Sequence, residues 1–226
     1  MSIAENIAQV YRQIEAAVAK AGRNHDSVRL LAVSKTKPAD DVRAAYAAGQ
    51  RSFGENYVQE GIEKVQALSD LDIDWHFIGP LQSNKTREVA SHFDWVHSVD
   101  RLKIAQRLND QRPDDLPPLN ICIQVNVSGE DSKSGISPAE LPSLVEAISQ
   151  LPRLRLRGLM CIPAPAEDEA AQREPFHQLA GLLSVLPAGD TLSMGMSGDM
   201  EAAIAEGATW VRIGTAIFGR RDYSNH

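Results

Sequence analysis

Hydrophobic positions along the chain alternate between two periods. In residues 2–21, Ile3, Ile7, Val10, Ile14 and Val18 fall three or four apart, which draws one apolar stripe along a helix. Gly22 follows, a residue that accepts the left-handed conformation of a helix end. Residues 28–33 form a short, nearly continuous apolar run, as expected of a strand buried on both faces. The two patterns then take turns. Strands are predicted over 51–54, 74–78, 94–99, 119–127, 154–162, 191–194 and 209–213, with 119–127 rich in β-branched residues. Helices are predicted over 38–48, 57–68, 85–91, 101–109, 138–150, 167–186 and 199–206, with a short one from Ala216. Pro138 sits at a helix start, where a missing N–H costs little, and Pro175 is expected to loosen the long helix around it.

Eight buried strands alternating with helices predict parallel pairing through right-handed crossovers. The fold class that follows is α/β: a single (β/α)8 TIM barrel with an extra N-terminal helix, one domain over 1–226. The rival, a doubly wound open sheet, would want a glycine fingerprint after its first strand. Ser34-Lys35-Thr36-Lys37-Pro38 stands there instead, with no glycine.

Composition narrows the function classes. The 226 residues carry 23 basic and 30 acidic side chains, a net charge of −7, which argues against a nucleic-acid-binding surface but leaves room for a local anion pocket. Cys122 and Cys161 are too few for a disulfide framework or a four-cysteine zinc site, and both sit in apolar runs, which predicts buried free thiols. The first ten residues lack the basic flank and apolar core of a signal peptide, and no apolar run approaches the ~20 residues of a membrane span. A cytoplasmic chain without membrane contact is therefore expected.

Barrels place their chemistry at the carboxyl ends of the strands. Lys35 follows the first strand, where its ammonium would enter the barrel mouth. Desolvation there would lower its pKa and leave an amine able to condense with an aldehyde; the plainer reading is a surface lysine. Met196-Ser197-Gly198-Asp199 and Gly214-Thr215-Ala216 follow strands seven and eight and run into helices, so their N–H groups could face an anion. Barrels often bind phosphate between these two loops, although each could be a simple tight turn. Arg212 lies near the end of strand eight between Val211 and Ile213, and a buried guanidinium there needs an acceptor or an anion. An amine for an aldehyde, a cradle for a phosphate and a polar group for a ring nitrogen together describe pyridoxal 5′-phosphate (PLP). His76, His97 and His177 show no metal spacing, and Ser197 has no Ser-His-Asp context.

The motifs also carry a resemblance. Ala32-Val33-Ser34-Lys35-Thr36-Lys37-Pro38, Phe53-Gly54-Glu55-Asn56-Tyr57-Val58-Gln59-Glu60 and Trp75-His76-Phe77-Ile78-Gly79-Pro80-Leu81-Gln82-Ser83-Asn84-Lys85 resemble, in order, the motifs of the pyridoxal phosphate homeostasis protein family. Lys133-Ser134-Gly135, Leu192-Ser193-Met194-Gly195-Met196-Ser197-Gly198-Asp199 and Val211-Arg212-Ile213-Gly214-Thr215-Ala216-Ile217-Phe218-Gly219 continue the match, with Gly198 at a variable position. The resemblance implies a barrel like the N-terminal domain of alanine racemase. It makes Lys35 the Schiff-base lysine, sets Ser197, Gly214 and Thr215 on the phosphate and Arg212 on the pyridine nitrogen, and lines the site with Asn56 and Met196. It implies a non-enzymatic protein that regulates free PLP and delivers it to apo PLP-dependent enzymes.

The alternative is a PLP-dependent amino-acid racemase. Racemases of this barrel type add a second β domain whose partner subunit supplies a catalytic tyrosine, whereas this sequence stops at His226 after the eighth unit. A monomeric binding protein is therefore expected; a racemase would need a substitute proton donor, with Tyr57 and His76 as candidates. Lys133, in the loop after strand five, is a candidate acceptor or electrostatic gate for PLP at the barrel mouth.

Overall fold

Strands that are apolar on both faces must be covered on both, and the chain meets that demand by closing its sheet on itself. The structure, a computed structural model, describes residues 1–129 and 134–224. Helix α1 (Ile3–Lys20) precedes β1 (Arg29–Val33), α2 (Ala39–Ala47), β2 (Ser52–Glu55), α3 (Val58–Ala67), β3 (Asp74–Phe77), α4 (Thr86–His92), β4 (Trp95–Val99) and α5 (Leu102–Gln111). Then come β5 (Leu119–Gln124), α6 (Leu141–Ile148), β6 (Leu154–Met160), α7 (Glu169–Leu182), β7 (Thr191–Ser193), α8 (Met200–Ala205), β8 (Trp210–Ile213) and α9 (Thr215–Phe218). Each strand pairs in parallel with the next and β8 pairs back with β1, giving a closed barrel.

Strand alternation divides the interior into two environments. Outward residues such as Leu30, Ala32, Val211 and Ile213 join the large core between barrel and helices. Inward residues form two small clusters, Leu31, Val33, Ile78 and Trp210 in one and Trp95, Cys122 and Met160 in the other. Both cysteines are buried and free, and burial pushes each thiol up to about 12, so neither is a thiolate at neutral pH.

The extra helix has a structural purpose. α9 spans only four residues, too few to cover the seam around β8. α1 packs against α8 and α9, burying Ile7, Val10, Ile14, Ala17 and Val18, and Asn6 Nδ2 donates to Ile217 O at 2.9 Å. Its start is fixed by Ser2, whose hydroxyl accepts from the Glu5 N–H at 3.1 Å.

Three predicted elements have different ends. The strand expected over 119–127 stops at Gln124, because Val125 makes an isolated bridge to Ile136 and the Asn126 side chain accepts from the Ser128 and Gly129 N–H groups, turning the chain. The helix expected over 138–150 opens as a 3-10 turn, Pro138–Glu140, under a Ser137/Glu140 capping box. The long helix begins at Glu169 because Asp168 caps the Ala171 N–H at 2.8 Å, and it tightens into a 3-10 turn over Leu183–Val185. Among the described residues, no helix is long and apolar enough to cross a membrane.

The β6–β7 seam is sensitive to volume. A Cβ added at Gly158 would overlap the Thr191 carbonyl oxygen. Gly158→Ala is therefore expected to lower stability by about 3 kcal/mol or more, read as a drop in urea midpoint with a retained far-UV spectrum.

Candidate functional site

The inward line of β1 runs through Leu31 and Val33 and continues to Lys35. Lys35 is half-buried at the carboxyl end of the barrel. Burial, and next the guanidinium of Arg221, hold its ammonium below the ordinary lysine range; Tyr223 and Glu55 oppose them in part. Lys37, two residues on, turns away and its ammonium donates to Arg220 O.

The turn that presents Lys35 is built from buried charge on the other side of the strand. Thr36 has a φ of 67°, a left-handed conformation that is costly for a β-branched residue. Its N–H donates to Glu60 Oε1 at 2.6 Å. Lys64 Nζ donates to Ser34 O at 2.6 Å, to both Glu55 oxygens at 3.0 and 3.1 Å, and to Glu60 Oε1 at 3.0 Å; Ser34 Oγ completes the cluster by donating to Glu55 Oε2. Burial pushes the Glu55 carboxyl up to about 7, against the pull of Lys64. Sequence reading placed Glu55 after strand two but passed over Lys64 and Glu60. Their helical spacing relative to a strand-end carboxylate was the available signal.

Across the mouth, Met196, Ser197 and Gly198 are exposed, and the turn is held by Met196 N–H donating to Asp199 Oδ1 at 2.7 Å and Asp199 N–H to Met196 O at 3.2 Å. Gly214 follows β8, the strand between β7 and β1, with Thr215 exposed beside it. A Cβ at Gly214 would collide with Nη2 of Arg221 and come within 3.1 Å of Val33 O, so β1, the last loop and the C-terminal segment meet there. Arg221 and Tyr223 lay beyond the elements considered in the sequence. Asn56, one residue past β2, keeps a buried side-chain oxygen with no partner among the described residues.

Arg212 is buried to 4% exposure on the inward face of β8. Its Nη1 donates to Ser193 Oγ at 2.7 Å and its Nη2 to Cys161 O at 2.9 Å. Among the described residues no carboxylate is within ion-pair distance of it, and Asp199 acts on it only electrostatically, so its acceptors are a hydroxyl and a carbonyl. One other expectation changes. His76 and His97 are fully buried in the barrel, bonded to each other at 2.8 Å, so neither lies at the mouth and His76 cannot act there as a proton donor. Lys133 lies outside the described residues. The described residues hold no cluster of three or more potential metal ligands.

Because Lys64 is the ammonium that bonds both Glu55 and Glu60 beneath the Lys35 turn, Lys64→Met is expected to destabilise the fold by about 3–5 kcal/mol. The check is thermal unfolding against wild type, with Glu63→Ala, which lies outside the cluster, as the control.

Comparison with known proteins fits this geometry. Residues 5–222 match the family model described as alanine racemase, N-terminal domain. The pyridoxal phosphate homeostasis protein of Pseudomonas aeruginosa is 66% identical over 223 residues, which cover 98% of this chain and 97% of the relative. PipY of Synechococcus elongatus, solved with PLP bound, is 41% identical with a TM-score of 0.84, covering 96% of this chain and 100% of PipY. Alanine racemase from Corynebacterium glutamicum shares the fold at 16% identity and a TM-score of 0.70, over 99% of this chain and 62% of its own length. The chain belongs to the alanine racemase N-terminal domain family and, within it, to the pyridoxal phosphate homeostasis proteins.

Proposed function

We propose that this barrel binds PLP at the carboxyl ends of its strands, holds it on Lys35, and passes it to apo enzymes that require it, without turnover of its own. The observation that carries the reading is Lys35 itself, an amine at the barrel mouth whose charged form is disfavoured by burial. The residues around it suit the cofactor. Asn56 offers an unpartnered buried oxygen, and the Gly214 position is closed to any side chain yet lies beside a guanidinium suited to a phosphate. When bound, PLP supplies an aldehyde that an amine can capture.

The protein's residues divide the task. Lys35 would present its neutral amine to the aldehyde carbon, the carbonyl oxygen leaving as water. Ser197, Gly214 and Thr215 hold the phosphate through hydroxyl and backbone N–H groups, with Met196 and Asn56 lining the site. Arg212, which cannot accept a proton, faces the pyridine nitrogen as a donor and keeps that nitrogen unprotonated. The burial of His76 removes one candidate second acid–base group for racemisation. Exposure of Ser197 and Thr215 leaves the phosphate side open to solvent, which suits exchange. We take the whole chain as one binding unit that acts as a monomer in the cytoplasm.

Purified protein given PLP is expected to turn yellow, and borohydride is expected to fix a pyridoxyl mass on Lys35 that is missing from Lys35→Ala. Mixing loaded protein with an apo PLP enzyme should activate it, while an amino-acid panel shows no racemisation; robust turnover abolished in Lys35→Ala would reverse the non-enzymatic reading.

The lowered pKa of Lys35 sets a second expectation. Loading requires the neutral amine, so its rate should rise with pH and level off above the Lys35 pKa. Arg221→Ala removes a positive charge, raises that pKa, and should move the midpoint of the loading profile to higher pH, measured by stopped-flow absorbance.

A further inference from the structure

A line of buried polar groups crosses the barrel, and every contact in it is of hydrogen-bond length. Arg212 Nη1 meets Ser193 Oγ at 2.7 Å, Ser193 Oγ meets His97 Nδ1 at 2.7 Å, His97 Nε2 meets His76 Nδ1 at 2.8 Å, and His76 Nε2 meets Asp74 Oδ2 at 2.7 Å. Ser193, His97 and His76 are each at 0% exposure, while the Asp74 side chain reaches solvent at the opposite end of the barrel with 37% exposure. We propose that Asp74, His76, His97 and Ser193 form a one-directional hydrogen-bond chain that positions Arg212 and ties the cofactor end of the barrel to its far end.

The direction follows from what each group can donate. A guanidinium only donates, so Ser193 Oγ accepts from Arg212 and must place its single proton elsewhere. The remaining partner is His97 Nδ1, which therefore accepts. A neutral His97 then carries its proton on Nε2 and gives it to His76 Nδ1, and His76 in turn donates from Nε2 to the Asp74 carboxylate. Any reversal leaves a buried donor facing a donor or a hydroxyl proton without an acceptor, which costs about 1–3 kcal/mol.

The surroundings keep this arrangement dry and fixed. The His76 ring stacks on Trp95 with centroids 5.2 Å apart and planes 8° apart, and meets the edge of Trp210 at 4.8 Å. Arg157 and Arg29 lie over the outer faces of Trp95 and Trp210, at 4.8 and 5.7 Å. Burial, and next the electrostatic influence of the His76 ring and the Arg212 guanidinium, hold His97 well below the ordinary imidazole range, in keeping with a neutral ring. Burial pushes the Asp74 carboxyl up, but the hydrogen bond and electrostatic pull of His76, then the hydrogen bond from Ser52 and the charge of Arg29, outweigh it and hold it low. Asp94, which accepts from the Trp75 N–H at 2.8 Å, Asp72, Asp26, and Asp190, which pairs with Arg157 at 2.9 Å, are further carboxylates close to this end. These residues are positioning residues: none faces the mouth, and they act only through Arg212.

The role given to Arg212 rests on the PLP reading, whereas the chain itself can be tested without it. In unloaded protein with 15N-labelled histidine, long-range proton–nitrogen spectra at pH 7.5 should show His76 and His97 both neutral with the proton on Nε2. A proton on Nδ1 of either ring, or an imidazolium, would overturn the chain. In loaded protein, Ser193→Ala should weaken PLP affinity about tenfold or more, the size of losing a hydrogen bond to a charged group, and shift the pH profile of the bound chromophore. Ser193→Thr, which keeps the hydroxyl, should restore both. Asp74→Ala should move the chromophore profile in the same direction by a smaller amount; a wild-type profile in folded, loaded Asp74→Ala would sink the long-range part. Failure of the wild type to take up PLP would reject the cofactor reading and leave the histidine spectra to decide the chain.

Discussion

The pairing of β1 with β8 closes the barrel in one register, with Leu31 opposite Arg212 and Ala32 opposite Ile213. That register brings the two ends of the chain to one rim. Lys35 extends the inward line of Leu31 and Val33, and Gly214 extends the line of Trp210 and Arg212. A slip of one residue would turn Lys35 outward under the helices and put Ser34 in the mouth. The apolar outward residues forbid that slip, because Leu30, Ala32, Val211 and Ile213 would lose their cover. The hydrophobic pattern of two short strands thus decides that Lys35 and Gly214 meet at one rim.

Closure also creates a problem that the interior has to solve. A guanidinium inside a barrel leaves water, and it is tolerated only when its donors are met. Arg212 meets that condition with a serine hydroxyl and a backbone carbonyl rather than a carboxylate, so its positive charge remains uncompensated close by. The polar line from Ser193 to Asp74 separates two small apolar clusters instead of one continuous barrel core. Outside the barrel, the Ser34, Glu55, Glu60 and Lys64 cluster gives a different solution, one ammonium shared between two carboxylates, and it braces the turn under Lys35. One set of buried polar groups aims the arginine, and the other aims the lysine.

These two devices suit a protein that receives and releases a small molecule. The lysine and arginine are fixed from behind, while Ser197 and Thr215, on the loops after β7 and β8, face solvent. The C-terminal segment is part of the same rim, because Arg221 reaches over Gly214 and lowers the tendency of Lys35 to stay charged. Affinity, reactivity and access are thereby set by different residues.

Much of this was legible in the sequence, and the reason is periodicity. Apolar runs bounded by turns gave eight strands in order, and the three- and four-residue spacings gave the helices between them, because burial on both faces of a strand and on one face of a helix leaves different patterns. Strand ends were less legible. The turn at Asn126 depends on a side chain bonding to Ser128 and Gly129, and the sequence alone read through it as strand. The rim residues Lys35, Asn56, Ser197 and Gly214 could be picked out because a barrel assigns special status to strand ends. What only the tertiary structure decided was which buried polar residues meet. His76, His97, Ser193 and Arg212 come from four strands, and Lys64 comes from a helix beneath a fifth. No period in the sequence records such contacts, since they depend on distances across a closed sheet rather than along the chain.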